Sequence, residues 1–205
     1  MLLARLSFTP LSTISYLFSR PPQWKTQLRG ADAQPPAPLR PWLNETGSLT
    51  KRLRGVYGSR LAVKLLFHHW KPAFAEECQA LRVPHHRYHL IREVLLHADG
   101  KPLVLARTVL PEQTIRIAHR NLSHLGTRPL GEVIFAYPDL ELRQRYFSAA
   151  AANCWSAAVQ NGFDIEPGVW GRRTLYAIHR QPLLVSEFFL PAVLEAQPPA
   201  TGGAA

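Results

Sequence analysis

Apolar and polar residues alternate with a period of two along several stretches of this chain, and the stretches come in pairs. RYHLIREVLLH and PLVLARTVLP flank an Asp-Gly dipeptide, Asp99-Gly100. Asp-Gly between two β-type runs specifies a tight hairpin turn. GRRTLYAIH and PLLVSEFFL form a second such pair around the turn from His179 to Pro182, and LAVKLLFHHW reads as a further strand. Elsewhere the period lengthens to that of a helix. SLTKRLRGVYG predicts a short helix with Ser48 as its N-cap. QTIRIAHRNLSHLG carries Ile115, Ile117, Leu122 and Leu125 at helical spacing, with Gly126 placed to close the helix in the left-handed conformation. The Ala-rich stretch within FSAAAANCWSAAVQNGFDIE predicts another surface helix. Hairpins with helices between them define an α+β domain: a single antiparallel sheet with helices packed on one side.

ADAQPPAPLRP, residues 31–41, cannot continue a helix or a central strand and reads as a linker. The reading is therefore a flexible Pro-rich extension over 1–41, a folded domain over 42–191 and a disordered tail over 192–205. The first twenty residues are free of acids and mildly apolar, as a targeting peptide can be, but lack a clean small-residue cleavage site.

Three charged residues interrupt apolar faces. Arg92 shares a period-2 face with Leu90, Val94 and Leu96, and Arg107 shares one with Leu103, Leu105 and Val109. A simple two-residue turn at Asp99-Gly100 sets Arg92 directly across from Arg107, where like charges repel. A desolvated guanidinium costs several kcal/mol unless it is paired, so a buried anion between the two is one resolution. Glu187 repeats the anomaly, sharing a face with Val185 and Phe189 while Leu184, Phe188 and Leu190 fill the other. A carboxylate-binding site and an internal ion pair between Glu187 and one arginine both satisfy this pattern. A register off by one residue would turn every side chain over.

Five ordered blocks, GSLTKRLR, REVLLHADGKPLVLARTVLP, LGTRPLGEVIF, WGRRTLYAI and PLLVSEFFLP, resemble the bacterial chorismate lyase family from about Trp42 to Pro191. That resemblance implies a single antiparallel sheet with helices, some acting as flaps over a buried ligand pocket. It also implies elimination of pyruvate from chorismate to give 4-hydroxybenzoate for ubiquinone biosynthesis. By it, Arg92 would hold the ring carboxylate, Glu187 would face the 4-hydroxyl, Leu130 would be a pocket residue, and Leu49 would stand where the family can carry methionine. Arg107 is a candidate for the side-chain carboxylate of the substrate, with a plain structural role beside it. Arg172 and Arg173 would add positive potential near the entrance, but exposed strand arginines are ordinarily solvated, and no role is assigned to them.

Composition excludes more than it selects. The chain has 205 residues, 24 Lys plus Arg against 14 Asp plus Glu, and a formal charge of +10. Its basic residues are scattered rather than striped, so no nucleic-acid partner is expected. Cys78 and Cys154 form no metal-binding array. The pairs His68-His69 and His85-His86 point to opposite sides of a strand, so no metal and no cofactor are expected. There is no GxSxG, GxGxxG or P-loop. The apolar runs are too short to span a bilayer. A monomeric cytoplasmic enzyme acting on chorismate is the expectation. The alternative is a non-catalytic module that binds a small aromatic carboxylate.

Overall fold

The computed structural model describes residues 14–28, 34–118, 122–165 and 167–195. In chain order its elements are α1 (Arg40–Leu43), α2 (Leu49–Tyr57), β1 (Leu61–Pro72), α3 (Ala75–Leu81), β2 (Tyr88–Ala98), β3 (Lys101–Leu110), α4 (Glu112–Ile117), α5 (Leu130–Ile134), β4 (Glu141–Ala151), α6 (Ala157–Gly162), β5 (Gly168–Ile178) and β6 (Gln181–Phe189). The strands form one six-stranded sheet in the order β1-β2-β3-β6-β5-β4. Every pairing is antiparallel, so the α+β class read from the sequence is observed.

Both hairpin turns lie where alternation placed them. Asp99 and Gly100 take φ of 50° and 78°, and His179 and Arg180 take 46° and 67°. Positive φ at both central residues matches the right-handed twist of the flanking strands. Gly100 meets that demand freely, whereas His179 and Arg180 adopt it at a steric cost.

The sheet is buried on both faces, not one. Leu49 and Leu53 of α2 pack with Val94, Leu96 and Ala106 on the first face, where α5 joins Tyr176 and Val185. On the second face Leu17, Phe18 and Trp155 cover Leu95, Leu105 and Phe188, and α3 covers Ile91, Val109 and Leu184. Helices thus flank both faces, which corrects the one-sided arrangement expected.

Four further expectations need correction. Leu17 and Phe18 are fully or nearly fully buried, and Phe18 bridges to Trp155, so part of the supposed flexible extension belongs to the fold. Leu39 is likewise a core residue ahead of the boundary set at Trp42, and Val193 is buried beyond the boundary set at Pro191; residues 1–13, 29–33 and 196–205 lie outside the described ones. The Ala-rich stretch mostly completes β4, whose Ala150 is buried against the sheet, and only Ala157–Gly162 is helical. Finally, α4 stops at Ile117, residues 119–121 lie outside the described ones, and Gly126 takes φ of 51° in a later turn instead of capping that helix.

Candidate active site

The position of each site residue follows from one irregularity in the first hairpin. The ladder between β2 and β3 starts with Ala98 opposite Lys101 and His97 opposite Pro102, then shifts so that Leu96 faces Val104. Leu103 is the extra residue. Proline has no N–H to give the ladder, and inside a central strand it is tolerated at bulges. Beyond the bulge Arg92 faces Thr108, and Arg107 faces Glu93. Arg92 and Arg107 therefore point to opposite faces of the sheet, and the expected like-charge pair does not exist.

On the second face Arg107 is held by charge. Its Nε and Nη2 donate to the two oxygens of Glu77, each at 2.8 Å, and Nη1 donates to Glu93 Oε1 at 2.6 Å. Burial alone would lower its pKa, but Glu77 and Glu93 outweigh that and hold it above the ordinary value. Glu93 also accepts from Ser15 Oγ at 2.6 Å and from the backbone N–H groups of Tyr16 and Leu17 at 2.6 and 3.0 Å. Arg107 is thus the centre of an anchor for the N-terminal segment and lies outside the candidate site.

On the first face Arg92, Glu187, Leu49 and Leu130 all line one cavity of about 50 Å³, together with Thr108, Tyr176 and Arg172. The start of α2 and the whole of α5 roof it. Ser48 caps α2 by accepting from Lys51 N–H, as its sequence predicts. Gly131 brings the roofing helices together: a Cβ there would lie 2.8 Å from Ser48 Oγ and 3.2 Å from Thr50 Oγ1.

Arg92 is 2% exposed. Its Nη2 donates to the carbonyls of Gly126 and Arg128 at 3.1 and 3.0 Å, in the loop that leads into α5. Its Nε has no partner among the described residues, and burial lowers its pKa to about 10. No described carboxylate pairs with it. Such a charge is expensive to keep.

Glu187 lies two strands from Arg92, about 10 Å across the sheet at the usual strand spacing, and one side-chain row further along. It accepts from Arg172 Nε at 2.6 Å, and Arg172 Nη1 donates to the carbonyls of Trp42 (3.0 Å) and Glu45. Arg172 is 1% exposed, so it is not the solvated entrance arginine that its sequence position suggests. A signal was available: a two-residue turn at His179-Arg180 sets Arg172 directly across from Glu187, as the ladder shows. Arg173, its neighbour, faces the other side, paired with Glu76 and stacked between Trp24 and Tyr146. Burial, reinforced by Glu187, raises the pKa of Tyr176.

A cavity with a buried cation that has no described carboxylate partner toward one end and an ion pair toward the other has the polar groups to receive a small anionic ligand. The chain belongs to the chorismate lyase family, whose profile matches residues 22–197. A probable chorismate pyruvate-lyase of Methylococcus capsulatus is 46% identical over 155 residues, covering 75% of this chain and 94% of that protein. One from Shewanella frigidimarina is 33% identical over 203 residues, covering 90% and 96%. Among solved structures, PhnF from Mycobacterium smegmatis superposes with a TM-score of 0.52 at 16% identity, over 73% of this chain and 66% of that one. That likeness is one of fold alone.

Proposed function

We propose that the chain eliminates pyruvate from chorismate and releases 4-hydroxybenzoate, a precursor for ubiquinone. It does so as a monomeric cytoplasmic enzyme, without metal or cofactor. The observation that carries this reading is Arg92, a buried guanidinium that faces a cavity and has no carboxylate partner among the described residues. A ligand carboxylate would restore the missing counter-charge and can accept from the partnerless Nε–H. The ring then extends across Val94, Ala106 and Val185, which line the cavity floor, and its hydroxyl reaches Glu187 as a donor. Leu49 and Leu130 close over the ring.

Chorismate carries its reactive ether on the ring carbon next to the one bearing the hydroxyl. Elimination makes the ring aromatic and is strongly downhill, so the protein's work is to hold a reactive conformation and to stabilise charge moving onto the leaving oxygen. The cavity of about 50 Å³ has room for a few water molecules. Entry of a ten-atom benzoate ligand therefore requires α2 and α5 to swing away as flaps, and release of product requires it again.

The test is to incubate purified protein with chorismate and EDTA and to follow both products. Equimolar 4-hydroxybenzoate and pyruvate are expected. No product, with saturable binding of 4-hydroxybenzoate, would overturn the enzyme reading in favour of a non-catalytic module that binds a small aromatic carboxylate.

A further inference from the structure

The cavity contains a second buried cation that the reading above leaves unused. We propose that Arg172 is the subsite for the side-chain carboxylate of the substrate dianion and holds the enolpyruvyl group beside Glu187. The inference rests on the chorismate reading and adds to it the residue that would discriminate substrate from product.

Charge balance is the first argument. Chorismate has two carboxylates, and two fully buried guanidinium groups line the cavity, Arg92 and Arg172. Arg107, the other candidate, is saturated by Glu77 and Glu93 on the opposite face. Position is the second. Arg172 stands directly across from Glu187 in the ladder between β5 and β6. If Glu187 accepts from the ring hydroxyl, the ether substituent on the neighbouring carbon lies beside whatever is paired with Glu187.

Electrostatics is the third argument. Arg145 reaches the same end, sharing the Glu45 carbonyl with Arg172, and Thr174 Oγ1 accepts from its Nε. Burial and then the neighbouring Arg172 charge lower the Arg145 pKa. Arg172 and Arg145 meet Glu187 here, and the Glu45 carboxylate that also feels Arg172 is itself paired with Arg52, so this end of the cavity keeps an excess of positive charge, which a second ligand carboxylate would relieve. The geometry is also fixed in advance: the hydrogen bonds from Nε and Nη1 orient the guanidinium and are separate from Nη2. A pre-oriented donor costs little to use in the transition state.

With both carboxylates held, the enolpyruvyl methylene is kept over the ring edge. As the ring carbon to oxygen bond breaks, its electron pair stays on oxygen, which becomes the carbonyl of pyruvate. The proton on the hydroxyl-bearing carbon passes to the methylene, and the electrons it leaves behind form the last double bond of the aromatic ring. Arg172 stabilises the negative charge that gathers on the departing enolpyruvate.

The test uses two aromatic ligands that differ only at the subsite, 4-hydroxybenzoate and 3-(carboxymethoxy)-4-hydroxybenzoate, titrated into wild type, Arg172→Gln and Arg172→Lys. A charged hydrogen bond of ordinary strength predicts that Arg172→Gln weakens the diacid about 30-fold more than the monoacid, with Lys recovering part of the loss. Chorismate kcat/KM should fall in parallel with diacid affinity. Equal weakening of both ligands, or no change in either, would overturn the assignment and leave Arg172 as a structural partner of Glu187. If Gln at 172 prevents folding, the Lys variant carries the same comparison. Failure of wild type to convert chorismate would sink the enzyme reading alone, because the ratio of diacid to monoacid affinities does not depend on turnover.

Discussion

Replacing Arg107 by methionine should unfold the protein more easily while leaving its ligand site intact. The side chain is 1% exposed and makes three hydrogen bonds to two carboxylates that are themselves buried. Methionine fills much of the same volume but leaves Glu77 and Glu93 close to each other with no cation. Breaking a buried ion pair by removing one partner costs about 3–5 kcal/mol. In a chain of this size each kcal/mol moves Tm by roughly 2–4 °C, so Tm should drop by about 10 °C or more. Part of that loss reflects release of residues 14–18, because Glu93 could no longer remain an unpaired anion and still serve as their acceptor. Thermal and urea melts measure the stability, and titration with 4-hydroxybenzoate well below the new Tm measures the site. Affinity within about twofold of wild type is expected for mutations on opposite faces with no shared partner. A Tm unchanged to within a degree, with binding lost, would refute the reasoning and return Arg107 to the ligand.

Four other outcomes follow from the same structure. Arg92→Gln should weaken 4-hydroxybenzoate binding on the order of a hundredfold in calorimetry, since it removes the charge that the ring carboxylate would meet. Glu187→Gln should lower kcat for chorismate on the order of tenfold or more, measured against a Tm control because Arg172 loses its partner. Gly131→Ala pushes against the Ser48 cap and should cost about 1 kcal/mol of stability; stopped-flow fluorescence should show faster product release as the roofing helices part. Burial lowers the pKa of His68, with Arg92 adding to the effect, and burial likewise lowers that of His89. Unfolded imidazoles therefore take up protons before the folded ones do, so between about pH 7 and 5 stability should fall as pH falls. Urea melts of His89→Gln across that range should show a shallower slope.

The sequence showed the hairpins and their turns because period-2 alternation and Asp-Gly are local signals. It showed Arg92 and Glu187 because a charge on an apolar strand face stands out without any knowledge of the partner strand. What it hid was register. A single added residue at Leu103 moved Arg107 to the far face, and the only local mark of it was Pro102 in a central strand. Arg172 was obscured by the assumption that a basic pair near the start of a strand is exposed, although its place across from Glu187 followed from the same turn arithmetic. The buried segment around Leu17 was invisible because short apolar stretches flanked by proline look like linker until a sheet face is there to receive them. Leu39 and Val193 were missed for the same reason.

Arg92 and Glu93 are consecutive, one aimed into the cavity and the other into the Arg107 anchor. A hairpin that closed without the bulge would bring Arg107 to the cavity beside Arg92 and leave Glu77 and Glu93 facing each other on the opposite side. Like would meet like on both faces of the sheet at once. The misaligned hairpin is thus penalised twice during folding, and the arrangement that gives the cavity its unpaired cation also proofreads the strand alignment that creates it.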